Sequence, residues 1–186
     1  MPRAFDIVVA AVALAVLSPF LLVAAIAIKL TSPGPVFYRR PRVGLDGREF
    51  EMWKLRTMVE GSDPVGVGKV VYRDDPRVTA PGRLLRRTSL DEIPNLVNVL
   101  RGEMAIVGPR PTIKAQVDDY TAEQRRRHEV LPGITGWAQV QGRAGIPWEE
   151  RIELDVWYVE NRSPLLDLRI LARTAGLLLS GRGLYG

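Results

Sequence analysis

Residues 7–28 read IVVAAVALAVLSPFLLVAAIAI and contain no Asp, Glu, Lys or Arg. An uncharged run of about 22 residues has the length that a helix needs to cross the hydrocarbon core of a bilayer. A cleaved signal peptide is the competing interpretation, because residues 25–27 read AIA, as in a signal-peptidase site. That interpretation is disfavoured, since the run is too long and only Arg3, opposed by Asp6, precedes it. The sequence therefore predicts an N-terminal membrane segment.

Ser18 and Pro19 divide this apolar run into two arms, each roughly 14 to 17 Å long as a helix. Pro19 has no N–H for the Ala15 carbonyl and its ring crowds that carbonyl, so we expect a sharp bend, which the Ser18 hydroxyl can partly repair. Two shapes fit this pattern: a kinked spanning helix, and a re-entrant helix–break–helix whose ends stay on one side. Basic residues lie on both flanks, Arg3 before and Lys29 after, which leans toward the re-entrant shape.

The composition narrows the chemistry that the chain can perform. Its 186 residues suit one compact domain with an appendage. The absence of Cys excludes disulfides, thiol nucleophiles and thiolate metal sites, and a single His excludes histidine-rich zinc sites. A carboxylate-bound Mg²⁺ stays open. The net charge of +5 indicates anionic partners such as phosphates, acidic lipid or nucleic acid.

The chain divides into a membrane part, residues 1–32, and a soluble part, residues 33–186. In the soluble part, a turn at residues 44–47 separates two β-prone stretches and predicts a small hairpin. Residues 61–68 contain several glycines and predict a mobile loop. Helical patterns dominate elsewhere, so the predicted fold class is α+β, mainly helical. These patterns cover residues 82–100, with an interruption near Ser89, and residues 121–130, 148–161 and 165–179.

The last predicted helix, residues 165–179, is amphipathic and rich in leucine. Its arginines, Arg169 and Arg173, are typical of an interfacial helix that lies on a bilayer with its cations toward the lipid headgroups. A helix of the soluble core has the same pattern, and the sequence leaves both interpretations open.

The adjacent carboxylates of Asp91 and Glu92 lie within LRRTSLDEIP, residues 85–94. Flanked by arginines, they are candidates for a nucleophile or metal ligand beside a base, with the cations holding phosphate. A structural interpretation competes, because Ser89 and Glu92 have the spacing of a capping box that begins a helix. A helix N-terminus also attracts anions, so the two interpretations are compatible.

Two loops carry further candidate phosphate contacts. Arg110 lies between two prolines, which restrict the backbone and favour a pre-ordered guanidinium for bidentate phosphate binding. The glycine-rich residues 132–143 include Thr135, Gln139 and Arg143 and can admit a nucleotide, although they lack the spacing of the common nucleotide-binding motifs. His128 lies in a charged helical stretch and is predicted to be solvated.

The order of these blocks resembles the bacterial sugar transferases, or monotopic phosphoglycosyl transferases. The resemblance covers nearly the whole chain, as the catalytic core alone without the additional N-terminal membrane helices of larger members. After Ser18 and Pro19, the matching blocks are GPVFY at 34–38, RVG at 42–44, KLRTM at 54–58, DPR at 75–77, LRRTSLDEIP at 85–94, NVLRGEM at 98–104, VGPRP at 107–111, PGITG at 132–136, AQV at 138–140 and GR at 142–143.

The resemblance implies transfer of a sugar-1-phosphate from a UDP-sugar to polyprenyl (undecaprenyl) phosphate, with release of UMP. It makes Asp91 the nucleophile that forms a covalent phosphosugar intermediate and a ligand of Mg²⁺, with Glu92 as its catalytic partner. It also implies the re-entrant membrane shape, with the active site on the cytosolic face of the inner membrane. The phosphate contacts expected beside this pair are Lys54, Arg56, Arg87 and Arg110.

Two other functions remain as alternatives. A glycosyltransferase would move the sugar alone and release UDP, and a membrane-tethered basic module would bind acidic lipid or nucleic acid without catalysis. The module is disfavoured, because the basic residues alternate with turns and carboxylates rather than forming one block, and nucleic acid is not an expected partner. A homodimer is compatible with so small a membrane-bound chain, and no motif names the sugar or the glycan pathway, whether capsule, exopolysaccharide, O-antigen or glycoprotein.

Overall fold

A computed structural model describes residues 1–62, 75–142 and 145–180 of the chain. Most of the loop predicted at residues 61–68, and also Arg143, therefore lie outside the described residues. The elements are α1 (Arg3–Thr31), β1 (Phe37–Val43), β2 (Glu49–Leu55), α2 (Ala80–Thr88), α3 (Asn95–Arg101), β3 (Ala105–Val107), α4 (Lys114–Val117), α5 (Ala122–Arg125), β4 (Gly133–Thr135), α6 (Trp137–Gln141), α7 (Trp148–Asn161) and α8 (Pro164–Ser180). The mainly helical α+β class is confirmed.

The predicted hairpin is present as β1 and β2, which pair antiparallel from Phe37 opposite Leu55 to Val43 opposite Glu49. Asp46 and Gly47 have positive φ angles of 54° and 73°, which such a tight connection requires. A second sheet, not predicted from the sequence, pairs the short strands β3 and β4 in parallel. Both sheets are two-stranded, so helix packing supplies most of the core.

The apolar helix α1 is continuous through Pro19, so two separate arms are not observed. The Ser18 hydroxyl donates to the Ala15 carbonyl at 2.9 Å, as the sequence predicts. Continuity is favoured because one side of α1 packs on the soluble domain on both sides of Pro19. The buried and half-buried positions of that side are Asp6, Val9, Ala10, Ala13, Leu14, Leu17, Leu21, Ala24 and Ile28.

The soluble domain holds α1 at both of its ends. Near the first turn, the Arg3 guanidinium donates to the carbonyls of Val99 and Met104, the latter at 2.8 Å. Beyond the last turn, the buried Arg56 guanidinium donates to the Ser32 carbonyl at 2.8 Å. The side of α1 that faces away from the domain is apolar and exposed, and α1 is long and apolar enough to cross a membrane.

The C-terminal helices α7 and α8 complete the core. Ile170 of α8 is fully buried and Leu166 is nearly so, which confirms the core interpretation for one side of this helix. The opposite side carries Leu165 and Leu168, which are 77% and 54% exposed, so an interfacial role of that side stays a prediction.

The prediction that His128 is solvated is wrong. The charged stretch forms α5 and a following 3₁₀ turn, and this turn points His128 inward, where it stacks with Tyr120 at a centroid distance of 6.1 Å. Burial, followed by the charge of Arg127, lowers the pKa of His128 to about 4, so the imidazole is neutral at physiological pH.

Candidate active site

Asp91 and Glu92 lie on a 3₁₀ turn, Leu90–Glu92, between α2 and α3. The turn follows Ser89, which has a φ of 56° and ends α2, its N–H donating to the carbonyls of Leu85 and Arg86. The predicted capping box is therefore wrong: Ser89 ends α2 in a left-handed conformation, and although it also precedes the 3₁₀ turn, its side chain makes no cap hydrogen bond. This left-handed residue redirects the chain so that both carboxylates face the hairpin and the Arg110 loop.

Two cations hold the Glu92 carboxylate. Lys54 Nζ lies 2.7 Å from Oε1, and the Arg110 guanidinium binds both oxygens, at 2.6 Å and 3.2 Å. Although burial opposes ionisation, the charges of Arg110 and Lys54 keep the pKa of Glu92 well below its ordinary value. Glu92 is therefore a fixed anion that orients the two cations rather than a group that exchanges protons near neutral pH.

The neighbouring Asp91 is in a different state. Burial raises its pKa to about 6, and the nearby charge of Glu92 adds to this, while Lys54, Arg86 and Arg110 oppose it. Within the described ranges no group donates a hydrogen bond to its carboxylate. Asp91 is thus mostly ionised at neutral pH, poorly solvated, and not tied to a cation, as a carboxylate nucleophile requires.

The position of Lys54 on β2 is fixed by a buried side-chain amide of α3. Asn98 is fully buried; its Oδ1 accepts from the Trp53 N–H at 3.1 Å, and its Nδ2 donates to the Glu51 carbonyl at 2.7 Å. These bonds fix the backbone of β2 on both sides of Met52, immediately before Lys54. No sequence pattern predicts this positioning role for Asn98, because an isolated asparagine in a helical stretch has no distinctive signature.

The loop that carries Arg110 is fixed from several directions. The Val43 N–H donates to the Thr112 carbonyl at 2.8 Å, and the Gly133 N–H donates to the Pro109 carbonyl at 2.9 Å. The buried Arg127 guanidinium donates to the Arg110 carbonyl itself at 2.9 Å. Because the backbone on either side of Arg110 is bonded, its guanidinium reaches Glu92 without the flexibility of an ordinary surface arginine.

Behind this loop, Arg127 forms a buried ion pair with Asp155 of α7 at 2.5 Å. The other terminal nitrogen of Arg127 donates to the Tyr120 hydroxyl at 2.7 Å, in the same enclosed space. Burial raises the pKa of Asp155 to about 6 against the opposing charge of Arg127. The pair therefore connects α7 with the backbone of the Arg110 loop.

Comparison with known proteins identifies the family of the chain. A family model described as Bacterial sugar transferase matches residues 1–181. The chain belongs to the bacterial sugar transferase family. This sugar transferase is 44% identical over 184 residues to the sugar transferase EpsL of Bacillus subtilis. The aligned region covers 99% of this chain and 90% of EpsL.

Two further relatives have names that state a reaction. Over 191 residues the sugar transferase is 46% identical to a UDP-glucose:undecaprenyl-phosphate glucose-1-phosphate transferase of Caulobacter vibrioides, across 98% of this chain and 71% of the relative. Over 187 residues it is 40% identical to a UDP-N-acetylgalactosamine-undecaprenyl-phosphate N-acetylgalactosaminephosphotransferase of Aeromonas hydrophila, across 97% of this chain and 44% of the relative. The named sugars differ although the identities are similar.

Of the site residues predicted from the sequence of the sugar transferase, Asp91, Glu92, Lys54 and Arg110 converge. The others have different surroundings. Arg56 is buried against the backbone after α1, and Arg87 is exposed on α2. Thr135 contacts the Thr174 hydroxyl at 2.7 Å, and Gln139 donates to the Ile134 carbonyl at 3.1 Å.

Arg86 is a member of the site that sequence reasoning passed over in favour of Arg87. Its Nε donates to the Thr57 hydroxyl at 2.8 Å, and its charge lowers the pKa of Asp91. Helical geometry separates adjacent residues by about 100°, so only one of the two arginines can face the carboxylates. The apolar positions Gly82 and Leu85, which are buried, set the rotational phase of α2. That phase was the signal that could have identified Arg86, rather than Arg87, as the arginine facing the carboxylates.

Asp91 is the carboxylate of this site that could hold a metal ion. Within the part of the chain that the structure describes, no three His, Cys, Asp or Glu side chains gather around one point. Mg²⁺ in phosphate chemistry is commonly held by one or two carboxylates together with substrate phosphates and water. Asp91 fits that pattern as a single carboxylate ligand, whereas the oxygens of Glu92 are already bound by Lys54 and Arg110.

Proposed function

We propose that this sugar transferase moves a sugar-1-phosphate from a UDP-sugar to undecaprenyl phosphate and releases UMP. The observation that carries the proposal is the contrast between Asp91, an ionisable carboxylate without a hydrogen-bond donor in the described chain, and Glu92, clamped by Lys54 and Arg110. The relatives of Caulobacter vibrioides and Aeromonas hydrophila, whose names state sugar-phosphate transfer to undecaprenyl phosphate, support the same reaction. Their different sugars leave the donor sugar open.

The proposed reaction consists of two displacements at one phosphorus atom. In the first, an Asp91 oxygen forms a bond to the phosphorus that carries the sugar, and the bond from that phosphorus to the bridging oxygen of the diphosphate breaks, which releases UMP. In the second, an oxygen of undecaprenyl phosphate attacks the same phosphorus, and the Asp91–phosphorus bond breaks. The Asp91 carboxylate is thereby restored, and the lipid carries a diphosphate-linked sugar.

The cations around the carboxylates have separate tasks in this scheme. Lys54 and Arg110, oriented by Glu92, present positive charge to phosphate oxygens at which negative charge develops. Arg86 adds charge near Asp91 and favours its ionised form. Mg²⁺, held by Asp91 and the substrate phosphates, would supply further charge neutralisation when bound.

The proposal includes a re-entrant, monotopic placement of α1 in the cytoplasmic membrane, with the site on the cytosolic face. The hydrogen bonds of Arg3 and Arg56, which tie both ends of α1 to one soluble domain, support this placement. A helix that crossed the bilayer would carry its two ends to opposite sides. The exposed apolar side of α1 is then the surface that contacts lipid.

Cysteine labelling tests this topology cleanly, because the chain has no native Cys. Single variants Ala4→Cys and Arg48→Cys place thiols at exposed positions in the first turn of α1 and beyond its last turn. Both should react with a membrane-impermeant maleimide in inside-out vesicles and neither in intact spheroplasts. Labelling of the two positions from opposite sides would show that α1 spans the bilayer.

The pH dependence follows from the pKa of Asp91, about 6 in the free enzyme. Only the ionised carboxylate can attack, so kcat/KM should fall about tenfold per pH unit below pH 6 and level off above pH 7. Glu92 stays ionised over this range and should add no second step. Initial rates between pH 4.5 and 8 measure the profile; a rate independent of pH between 5 and 7 would contradict it.

Nucleotide product analysis tests the reaction itself. Protein in nanodiscs is incubated with a panel of UDP-sugars, undecaprenyl phosphate and Mg²⁺, and the released nucleotide is separated by chromatography. UMP that appears only with lipid phosphate in multiple turnovers supports the proposal and identifies the sugar. UDP would indicate a glycosyltransferase, and folded protein that binds anionic lipid but releases no nucleotide would indicate the binding module.

A further inference from the structure

Strand β1 presents a row of polar side chains toward the active site. Along the strand, exposed positions alternate with half-buried ones, and the half-buried ones are Tyr38, Arg40 and Arg42. Tyr38 lies opposite Lys54 in the hairpin register, so the row shares the face from which Lys54 reaches Glu92. At the end of the row, the Val43–Thr112 bridge attaches the strand to the loop that carries Arg110.

Arg42 is the member of this row next to Val43, whose N–H donates to the Thr112 carbonyl of the Arg110 loop at 2.8 Å. Burial lowers the pKa of Arg42, and the charge of Arg110 lowers it further, as expected where two guanidinium groups lie near each other. The hydrogen bond of Arg42 runs from NH1 to the Pro41 carbonyl at 2.9 Å. Among the described residues, no carboxylate lies within ion-pair distance of Arg42.

Other arginines near the site have partners of their own. Arg110 has the Glu92 carboxylate, Arg127 has Asp155, and the buried Arg56, which has no carboxylate partner, donates to the carbonyls of Pro33 and Ser32. A half-buried guanidinium that faces a second guanidinium without a carboxylate of its own is electrostatically unfavourable. A bound anion with several oxygens offsets that cost, and a guanidinium pair suits the oxygens of a phosphate group.

Among the residues that the structure describes, the cations that act on this site outnumber the two carboxylates, Asp91 and Glu92. Glu92 offsets part of the charge of Lys54 and Arg110, and no described carboxylate does the same for Arg42.

We propose that Arg42 is a phosphate-binding residue that, together with Arg110, holds a phosphate group next to the one that Asp91 attacks. The inference rests on the proposed function and adds a subsite to it. In that reaction such a phosphate is either the UMP phosphate of the nucleotide substrate or the phosphate of undecaprenyl phosphate. Both are phosphate monoester or diester groups with the same recognition chemistry, and the two arms of the test separate them.

The test compares Arg42→Gln and Arg42→Lys with the matched control Arg39→Gln. Arg39 lies on the same strand but on its opposite face, where it is half exposed and stacks on Trp53 at 4.0 Å. The first arm measures equilibrium binding of UDP to protein in nanodiscs by calorimetry. The second measures KM for undecaprenyl phosphate at saturating UDP-sugar.

Loss of a charge-assisted contact should weaken one of these two parameters about 10- to 100-fold in Arg42→Gln. Arg42→Lys should weaken the same parameter less, because lysine keeps the positive charge but lacks the planar guanidinium group. In Arg39→Gln, both parameters should stay within about twofold of the unaltered protein. A change in the UDP arm assigns the subsite to the nucleotide, and a change in the KM arm assigns it to the lipid phosphate.

Unchanged UDP affinity and unchanged KM in both Arg42 variants would overturn the inference. Arg42→Lys guards against misfolding, since it retains the aliphatic stem and the charge. The UDP-binding measurement needs no turnover, so it tests the phosphate subsite separately from the proposed function. Arg42-dependent UDP binding by a protein that forms no UMP would contradict the proposed function while supporting the phosphate subsite.

Discussion

Asp91→Asn should lower the rate of UMP release by about 10³-fold or more, the size of effect seen when an enzyme loses its nucleophile. Asparagine has the shape of aspartate but offers no anionic oxygen to attack phosphorus. The structure predicts that this loss is purely chemical, because the Asp91 side chain makes no hydrogen bond within the described residues. The measurement is steady-state UMP release with undecaprenyl phosphate as acceptor.

Stability provides the control for this variant. Folding raises the pKa of Asp91 from 3.8 to about 6, so ionisation of Asp91 destabilises the folded state. This cost is full above about pH 6, shrinks as the pH falls below 6, and disappears below the ordinary carboxyl pKa of 3.8. The neutral asparagine should therefore unfold at the same temperature as the unaltered protein, or a higher one, at pH 7.5. Asp119→Asn, on an exposed carboxylate, should leave turnover unchanged. Asp91→Asn that retained turnover would exclude Asp91 as the nucleophile.

Arg127→Met should destabilise the protein by about 3–5 kcal/mol, because it leaves the buried Asp155 carboxylate without its partner. The loss also removes the hydrogen bond to the Arg110 carbonyl. Thermal and urea unfolding of the protein in nanodiscs measure the effect. A matched variant of an exposed pair, Arg126→Met, should change stability by less than about 1 kcal/mol.

The double variant Arg127→Met/Asp155→Leu separates stability from positioning. Replacing both charges by apolar side chains removes the unpaired carboxylate, so most of the lost stability should return. The Arg110 loop would still lack its bond from Arg127, so kcat should stay below that of the unaltered protein. If the restored fold regained full kcat, Arg127 would have only a structural role.

Local patterns predicted the fold where an element is long enough to show a period. The helix expected at residues 148–161 is observed as Trp148–Asn161, and the hairpin and the interruption at Ser89 are present. Strands β3 and β4 have three residues each, too few for an alternation, and they pair across a long stretch of chain. The capping-box prediction failed because Ser89, the first residue of the Ser89–Glu92 spacing, adopts a left-handed conformation and ends a helix.

The sequence predicted which types of residue form the site better than it predicted which way their side chains face. Asp91, Glu92 and Arg110 stood out because paired carboxylates and a proline-flanked arginine are chemically distinctive. Whether a particular arginine faces the site depends on strand register and helix phase, so Arg56 was expected at the site and Arg86 was not. Burial of Arg127 was hidden because residues 123–129 are mostly charged in sequence, a pattern typical of an exposed helix.

The most direct test of the central claim is intact-mass spectrometry of the protein incubated with its UDP-sugar in the absence of lipid phosphate. A covalent route through Asp91 predicts one sugar-phosphate adduct that maps to the peptide containing Asp91, is absent in Asp91→Asn, and disappears when undecaprenyl phosphate is added. UMP release at full rate with the lipid present, but no adduct at any time without it, would contradict a covalent route and indicate direct transfer between the two substrates.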